Sequence, residues 1–269
     1  MRTLYRALAV ACFPAFVITA PSLASGSGTA QFTGWGPGQA NGGGAFTFKL
    51  VADGSSHGNF HTTNWAGTHA EHGIGSSFVT FCLETGEEIY SIGDYYRASV
   101  DDTIAYGVQS SAYFNTAHGD VIPANHTTLE RQTAFLYSGF RRGTLSGNVT
   151  GWTSATIAAL SGREANALQA AIWLLQSQAG NYWIHHNGGY DSATLTLVDN
   201  LIAYANSAPA YWASLGDVRV MNLWSSDNQN NSTRRQSQLI MIPLPPETAM
   251  AGLGMAAIFG IGVVRRRRK

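Results

Sequence analysis

Ser161-Gly-Arg-Glu164-Ala-Asn-Ala-Leu168-Gln-Ala-Ala-Ile-Trp173-Leu-Leu175 is the stretch around which the rest of the chain can be read. A serine followed three residues later by a glutamate is a capping box, in which each side chain takes up a backbone N–H that the first helical turn leaves without a partner. Leu168, Ile172, Leu175 and Ala179 then recur at i, i+4, i+7 and i+11 and define a face that belongs in a core. Gln169 stands about 100° round from that stripe, with Trp173 one turn further on. Its amide is expected on a partly buried flank, where it needs hydrogen-bond partners. Either neighbouring backbone supplies them or the amide is itself a reacting group.

Outward from this helix, further elements fall on both sides. Thr127-Thr-Leu-Glu130 has the same capping-box spacing and predicts a helix running through Phe140 to Arg141-Arg142, ended by Gly143. A short helical piece is expected at residues 153–160 and another helix at 195–204, terminated by Pro209. Alternating apolar and polar residues predict strands at 45–51, 77–83, 217–224 and 236–242. Residues 25–44, rich in glycine and serine, read as a loose lead-in with at most an edge strand. Strands at both ends around a helical middle predict an α+β fold over residues 45–242: an antiparallel β-sandwich or barrel with a helical subdomain inserted at about 125–207.

The ends of the chain read as targeting segments. Arg2 and Arg6, an apolar run to about residue 20, and Ser22-Leu-Ala24 form a signal peptide over residues 1–24, cut after Ala24 by signal peptidase. At the other end, residues 243–269 hold Pro245, Pro246 and Glu247, an uncharged stretch at 248–264 and five basic residues. Seventeen helical residues span roughly 26 Å, enough to cross a bilayer with the basic cluster left on the cytoplasmic side. This layout resembles the PEP-CTERM sorting signal of Gram-negative bacteria, with Pro-Pro-Glu here where the pattern has Pro-Glu-Pro. The resemblance implies transient anchoring in the inner membrane, processing by an exosortase, and delivery to the cell surface or extracellular matrix.

Processing changes the charge. The whole chain holds 16 basic and 16 acidic residues, but Arg2, Arg6 and the five basic tail residues leave with the ends, as does Glu247. Residues 25–246 keep nine basic and 15 acidic residues, a net charge of −6. Only Arg141-Arg142 and Arg234-Arg235 pair basic residues there, and each reads as a solvated loop, so no nucleic-acid partner is expected. Export also changes the cysteine count: Cys12 leaves with the leader, and Cys82 remains as the one thiol. It cannot form an intramolecular disulfide, so it is either an inert small hydrophobe or a reactive group. It sits in Phe-Val-Thr-Phe81-Cys82-Leu-Glu84, near a strand end entering a turn, rather than at a helix N-terminus that would favour its thiolate.

Gln169-Ala-Ala-Ile-Trp173, with an aromatic-flanked upstream cysteine on a strand and a Phe-Leu-Tyr helix between, resembles the thioester domain of bacterial surface adhesins. In that family a cysteine thiol and the glutamine side chain of a Thr-Gln-x-Ala-Ile-Trp motif condense, with loss of ammonia, to an internal thioester; Leu168 stands here in place of the threonine. The resemblance maps the pair onto Cys82 and Gln169, at the interface of the sheet and the helical subdomain. It implies covalent capture of an amine or hydroxyl on a partner, in a single event rather than by turnover, with no cofactor. Phe81 and Trp173 are expected to shield the bond from water. Residues 25–246 contain a single lysine, Lys49, which suits a protein carrying an amine-reactive bond as well as it suits a bias in genomic composition.

Other readings stay open at this point. The same scaffold without the bond would be a structural protein of the extracellular or biofilm matrix. A cysteine hydrolase would need a base, and His118, His126, His185 or His186 could approach Cys82 in space. Glu84, Glu87 and Glu88 are candidate carboxylates, although negative charge beside a thiol opposes its ionisation. His57, His61, His69 and His72, among glycines and threonines, form either a metal site or a polar surface loop.

Overall fold

The alternation seen in the sequence produces a single six-stranded antiparallel sheet in the computed structural model, which describes residues 26–38, 44–51, 75–107, 110–209, 212, 215–226 and 229–242. The leader with Ala24, the histidine-rich loop and the tail with Pro245, Pro246 and Glu247 lie outside these residues. The strands are β1 (Gly26–Trp35), β2 (Ala45–Val51), β3 (Ser77–Phe81), β4 (Tyr95–Asp101), β5 (Val218–Trp224) and β6 (Arg234–Met241), in the order β3-β2-β1-β4-β5-β6. Every neighbouring pair is antiparallel.

The lead-in expectation is corrected here, because β1 lies between β2 and β4 and is paired on both sides. Its glycines lower local strand propensity, but long-range ladders override propensity, and Ala30 and Phe32 are fully buried. A bulge between Phe32 and Gly34 absorbs the register shift against β2. Inside the sheet, Phe32 packs on Phe48 with ring centroids 5.4 Å apart, and Phe48 on Tyr96 at 6.3 Å.

The two edges of the sheet meet and close it into a barrel. Just past β3, Cys82 bridges antiparallel to Gln238 of β6, and the Leu83 N–H donates to the Ser237 carbonyl at 2.9 Å. The Thr80 hydroxyl donates to the Leu239 carbonyl across the same seam. Closure removes the unpaired edges that an open sheet would expose.

Three α-helices are inserted between β4 and β5 among the described residues: α1 (Arg131–Arg141), α2 (Gly162–Leu175) and α3 (Ser192–Asn206). α1 packs on β5, whose residues are all buried because both faces of that strand are covered. From α1, the Tyr137 hydroxyl lies 3.2 Å from the Val79 carbonyl and 3.3 Å from that of Leu239, so it straddles the seam. The Arg141 guanidinium donates to the Val79 carbonyl at 2.9 Å. The predicted capping box at Thr127 does not form: Thr128 is held extended in a bridge to Thr103, and Glu130 is the N-cap without a side-chain bond. The box at Ser161 and Glu164 does form, and α2 starts where the spacing predicted.

α2 contacts α1, α3 and β2 and is buried on nearly every side. Ala165, Ala167, Ala170 and Ala171 let those neighbours approach closely. Gln169 is therefore 1 % exposed, inside the core rather than on a partly buried flank, whereas Leu175 is only half-buried.

Candidate functional site

The hydrogen-bond pattern of the seam decides what Cys82 can meet. Because Leu83 N–H bonds to Ser237, the N–H and C=O of Cys82 itself point away from β6, towards the side of β2. There the ladder has run out: the last β2–β3 register pair is Ala45 with Phe81. The Gln169 side chain fills the vacated position. Its Oε1 accepts the Cys82 N–H at 3.1 Å and its Nε2 donates to the Cys82 carbonyl at 2.9 Å, a primary amide standing in for one residue of a strand. The same Oε1 lies 3.3 Å from Cys82 Sγ and accepts the thiol proton. With a carbonyl bond of about 1.23 Å, the Gln169 Cδ is no more than about 4.5 Å from the sulfur. The two residues that the sequence singled out, 87 positions apart, are in direct contact.

The surroundings are dry and set the electrostatics. Cys82 is fully buried and Trp173 is 1 % exposed. Burial pushes the thiol well above its ordinary range, and the nearby Glu84 carboxylate pushes in the same direction; the Trp173 indole N–H and backbone donation oppose them. Glu84, itself buried, accepts the Ser237 N–H at 2.9 Å and extends the seam. Trp173 Nε1 is a buried donor with no protein hydrogen bond of normal geometry. Opposite Cys82 across the seam, Gln238 is fully buried and its Oε1 likewise lacks a partner, while its Nε2 donates to the Gln236 carbonyl at 3.2 Å.

Of the two aromatic residues expected as cover, Trp173 is buried one helical turn beyond Gln169, whereas Phe81, one residue before Cys82, faces the other way and meets Phe140 of α1 edge-on at 5.3 Å, because successive side chains of an extended segment alternate. The Tyr113 ring stands edge-on to Trp173 at 5.3 Å and lies 4.6 Å from Trp183. Burial and the nearness of Cys82 raise its phenol above the usual range. Tyr113 closes a three-residue 3-10 turn, Ser111–Tyr113, in a stretch whose sequence carries no periodic signal. Gln236 and Gln238 alternate with Ser237 and Leu239 as a solvent-facing strand would, so nothing in the sequence marked them as interior.

The histidines that could have served a hydrolase are engaged elsewhere. His118 and His186 flank the Tyr182 ring at 4.1 and 4.3 Å, His126 pairs with Glu130, and His185 pairs with Asp199. Among the described residues, none is a hydrogen-bond partner of Cys82, and no group of three or more His, Cys, Asp or Glu side chains could hold a metal ion. His57, His61, His69 and His72 lie outside the described residues. The arginine pairs are not solvated loops. Arg142 pairs with Asp217, Arg234 pairs with Glu87 and lies over the Tyr106 ring, and Arg235 covers Tyr90. Among the described residues no helix is long and apolar enough to cross a membrane, and the predicted span at 248–264 lies outside them.

No protein-family model matches the chain, and no curated protein matches it. Among solved structures, the N-terminal thioester domain of a protein F2-like fibronectin-binding protein from Streptococcus pneumoniae is similar over 78% of this chain and 100% of its own, at 11% identity and a TM-score of 0.35.

Proposed function

We propose that this is an exported surface or matrix protein in which Cys82 and Gln169 condense to an internal thioester that captures an amine or hydroxyl on a partner. One observation carries the reading: a lone thiol rests 3.3 Å from the oxygen of a buried glutamine amide whose two ends are pinned by the backbone of that same cysteine. A thiol attacks an unactivated amide only when both groups are held in near-attack geometry, where effective molarities of roughly 10⁵ M or more become accessible.

The groups present suit the step. Sulfur attacks Cδ, the thiol proton passes to the departing nitrogen, the Cδ–Nε2 bond breaks and ammonia leaves. As the tetrahedral centre forms, charge gathers on Oε1, where the Cys82 N–H already donates. The Cys82 carbonyl holds Nε2 as it departs, and the same carbonyl receives the N–H or O–H of an incoming nucleophile. That nucleophile then bonds to Cδ, sulfur leaves as the thiol, and Gln169 carries the partner. Capture is a single event per chain. The sequence supports export through the leader and exosortase sorting through the tail, with the partner on a surface or in the matrix.

Intact mass of the purified core domain tests the reading. The expected result is a mass lower by one ammonia, restored and increased by methylamine, and unshifted in Cys82→Ala. An unmodified mass with no methylamine adduct overturns it. One observation favours a second reading, a non-reactive scaffold: the hydrogen bonds of Gln169 to Cys82 explain its burial without any covalent chemistry. That reading predicts one titratable thiol as soon as the protein is unfolded, without prior treatment by a nucleophile.

A further inference from the structure

A partner can be captured at a pair as buried as Cys82 and Gln169, 0 % and 1 % exposed, only if part of the fold moves aside. The barrel seam is a hydrogen-bonded ladder and α2 is packed into the core, so neither opens readily. Residues 110–120 are a different kind of element. They hold two 3-10 turns, Ser111–Tyr113 and Thr116–His118, and none of them is buried. Segments with so little buried surface belong to the low-stability end of a fold and open first.

The anchors of this strap give it a meaning. One end rests on the segment that follows Cys82, where the Ser110 N–H donates to the Thr85 hydroxyl at 3.0 Å. Its middle rests on the segment that follows α2: the Gly180 N–H donates to the Tyr113 carbonyl at 2.8 Å, and the Tyr113 ring packs on Trp173 and Trp183. Those two segments meet there, since the Thr85 N–H donates to Gln178 Oε1 at 3.3 Å and the Thr85 hydroxyl to the Gln178 carbonyl at 3.0 Å. The strap therefore crosses the junction of the two stretches that carry the pair. Its far end is locked by Asp120, whose Oδ1 accepts the Tyr182 N–H at 2.9 Å and whose Oδ2 accepts the Trp183 N–H at 3.0 Å and that of Asn115, within the strap, at 2.9 Å. His118 stacks on the Tyr182 ring beside it. Glycine at 180 makes room for this carboxylate, because a Cβ there would come within 2.1 Å of it.

We propose that residues 110–120 gate the Cys82–Gln169 pair, with Asp120 as the latch. Closed, the strap keeps nucleophiles away from the bond; when the Asp120 carboxylate lets go of Tyr182 and Trp183, the strap lifts from the junction and the amine or hydroxyl of the partner enters. The inference rests on the thioester reading above. The two bonds that cross from the strap to Tyr182 and Trp183 are charge-assisted, so they set how small the open fraction is, and the rate of capture scales with that fraction. Asp120 acts on access alone and takes no part in the bond changes at Cδ.

The test compares wild type with Asp120→Asn, which keeps an acceptor for one of the two crossing donors, and Asp120→Ala, which keeps none. Methylamine incorporation, followed by intact mass, is expected to be roughly 10-fold faster in Asp120→Asn and up to about 100-fold faster in Asp120→Ala, each charge-assisted bond being worth about a factor of ten. The amount incorporated stays the same. Amide hydrogen exchange separates gating from general loosening, and it is measured in the Cys82→Ala background, where no thioester forms. The acceptor of the Gly180 N–H lies on the strap and is untouched by either substitution, so that amide is expected to exchange faster by the same factor as methylamine uptake, while the amides of β1 and α2 keep their protection. Asp120→Ala protein that takes up methylamine at the wild-type rate, or whose Gly180 exchange is unchanged, overturns the gate and leaves the thioester reading intact. Wild type that shows no loss of ammonia overturns both. If Asp120→Ala does not fold, Asp120→Asn decides the question by the same two readouts.

Discussion

Replacing Gln169 by alanine tests the part of the site that the geometry makes most specific, its use of a side-chain amide to finish a β-ladder. The comparison belongs in a Cys82→Ala background, where no thioester can form but the residue 82 backbone N–H and C=O remain. Gln169→Ala removes the acceptor at 3.1 Å and the donor at 2.9 Å and leaves both backbone groups buried. An unsatisfied buried polar group costs about 1–3 kcal/mol, so the pair predicts about 2–6 kcal/mol, with a further contribution from the cavity left by the side chain. Urea unfolding at neutral pH measures it, with an unchanged slope showing that the same surface is exposed. Gln169→Glu sharpens the result. A protonated glutamic acid can both accept and donate and so preserves the pairing, whereas the buried carboxylate cannot donate to the Cys82 carbonyl. Its folded-state pKa is therefore raised, and its stabilisation is present at acid pH and lost as pH rises through that value. A loss below about 1 kcal/mol for Gln169→Ala, or a Gln169→Glu protein indifferent to pH, would refute the idea that the amide completes the ladder.

Tyr137→Phe removes the hydroxyl that straddles the seam and is expected to lower stability by about 1 kcal/mol in thermal or urea unfolding, with the fold retained. Glu164 is pushed up by burial, yet hydrogen bonds from Ser154, Ser161 and Thr153 outweigh this and hold its carboxyl down at about 2, against an ordinary 4.5. Wild type should therefore exceed Glu164→Gln in stability above pH 4.5, with the gap closing as pH falls towards 2; a gap that widens on acidification contradicts that network. Tyr113→Ala uncovers one edge of Trp173 and should speed methylamine incorporation several-fold without changing the amount incorporated, followed by intact mass over time.

The sequence was most legible where a local pattern and its long-range packing agree. β2 spans the residues its alternation predicts, with Thr47 and Lys49 less buried than their apolar neighbours, and the Ser161 box caps α2 as its spacing requires. It was least legible where distant parts of the chain supply the partners. The glycine-rich segment looked loose because local propensity says nothing of the two strands that flank β1. Thr127 had the spacing of a cap, but the bridge from Thr103 holds Thr128 extended. At the site, the pairing of Cys82 with Gln169 could be read from the motif. That Gln169 replaces a missing strand residue could not, because it follows from barrel closure and from where β2 ends. Phe81 was misplaced for a simple reason: adjacency in sequence along an extended segment means opposite faces.

The 87 positions between Cys82 and Gln169 give the contact a topological meaning as well as a chemical one. A covalent link there closes a loop that contains β4, α1 and the first half of α2, and it restricts the unfolded chain much as a disulfide would. The loop-entropy relation for 87 residues gives about 4–5 kcal/mol of stabilisation. Because the two partners come from different layers, the ring can close only after sheet and helices have docked, so on the proposed export route an extended chain crossing a membrane carries no such ring. Capture as proposed reverses the effect: as the partner is gained the ring opens, and the domain passes from a stapled molecule to a linear one. In a mixed population, resistance to heat or denaturant would separate the molecules that still await a target from those that have taken one.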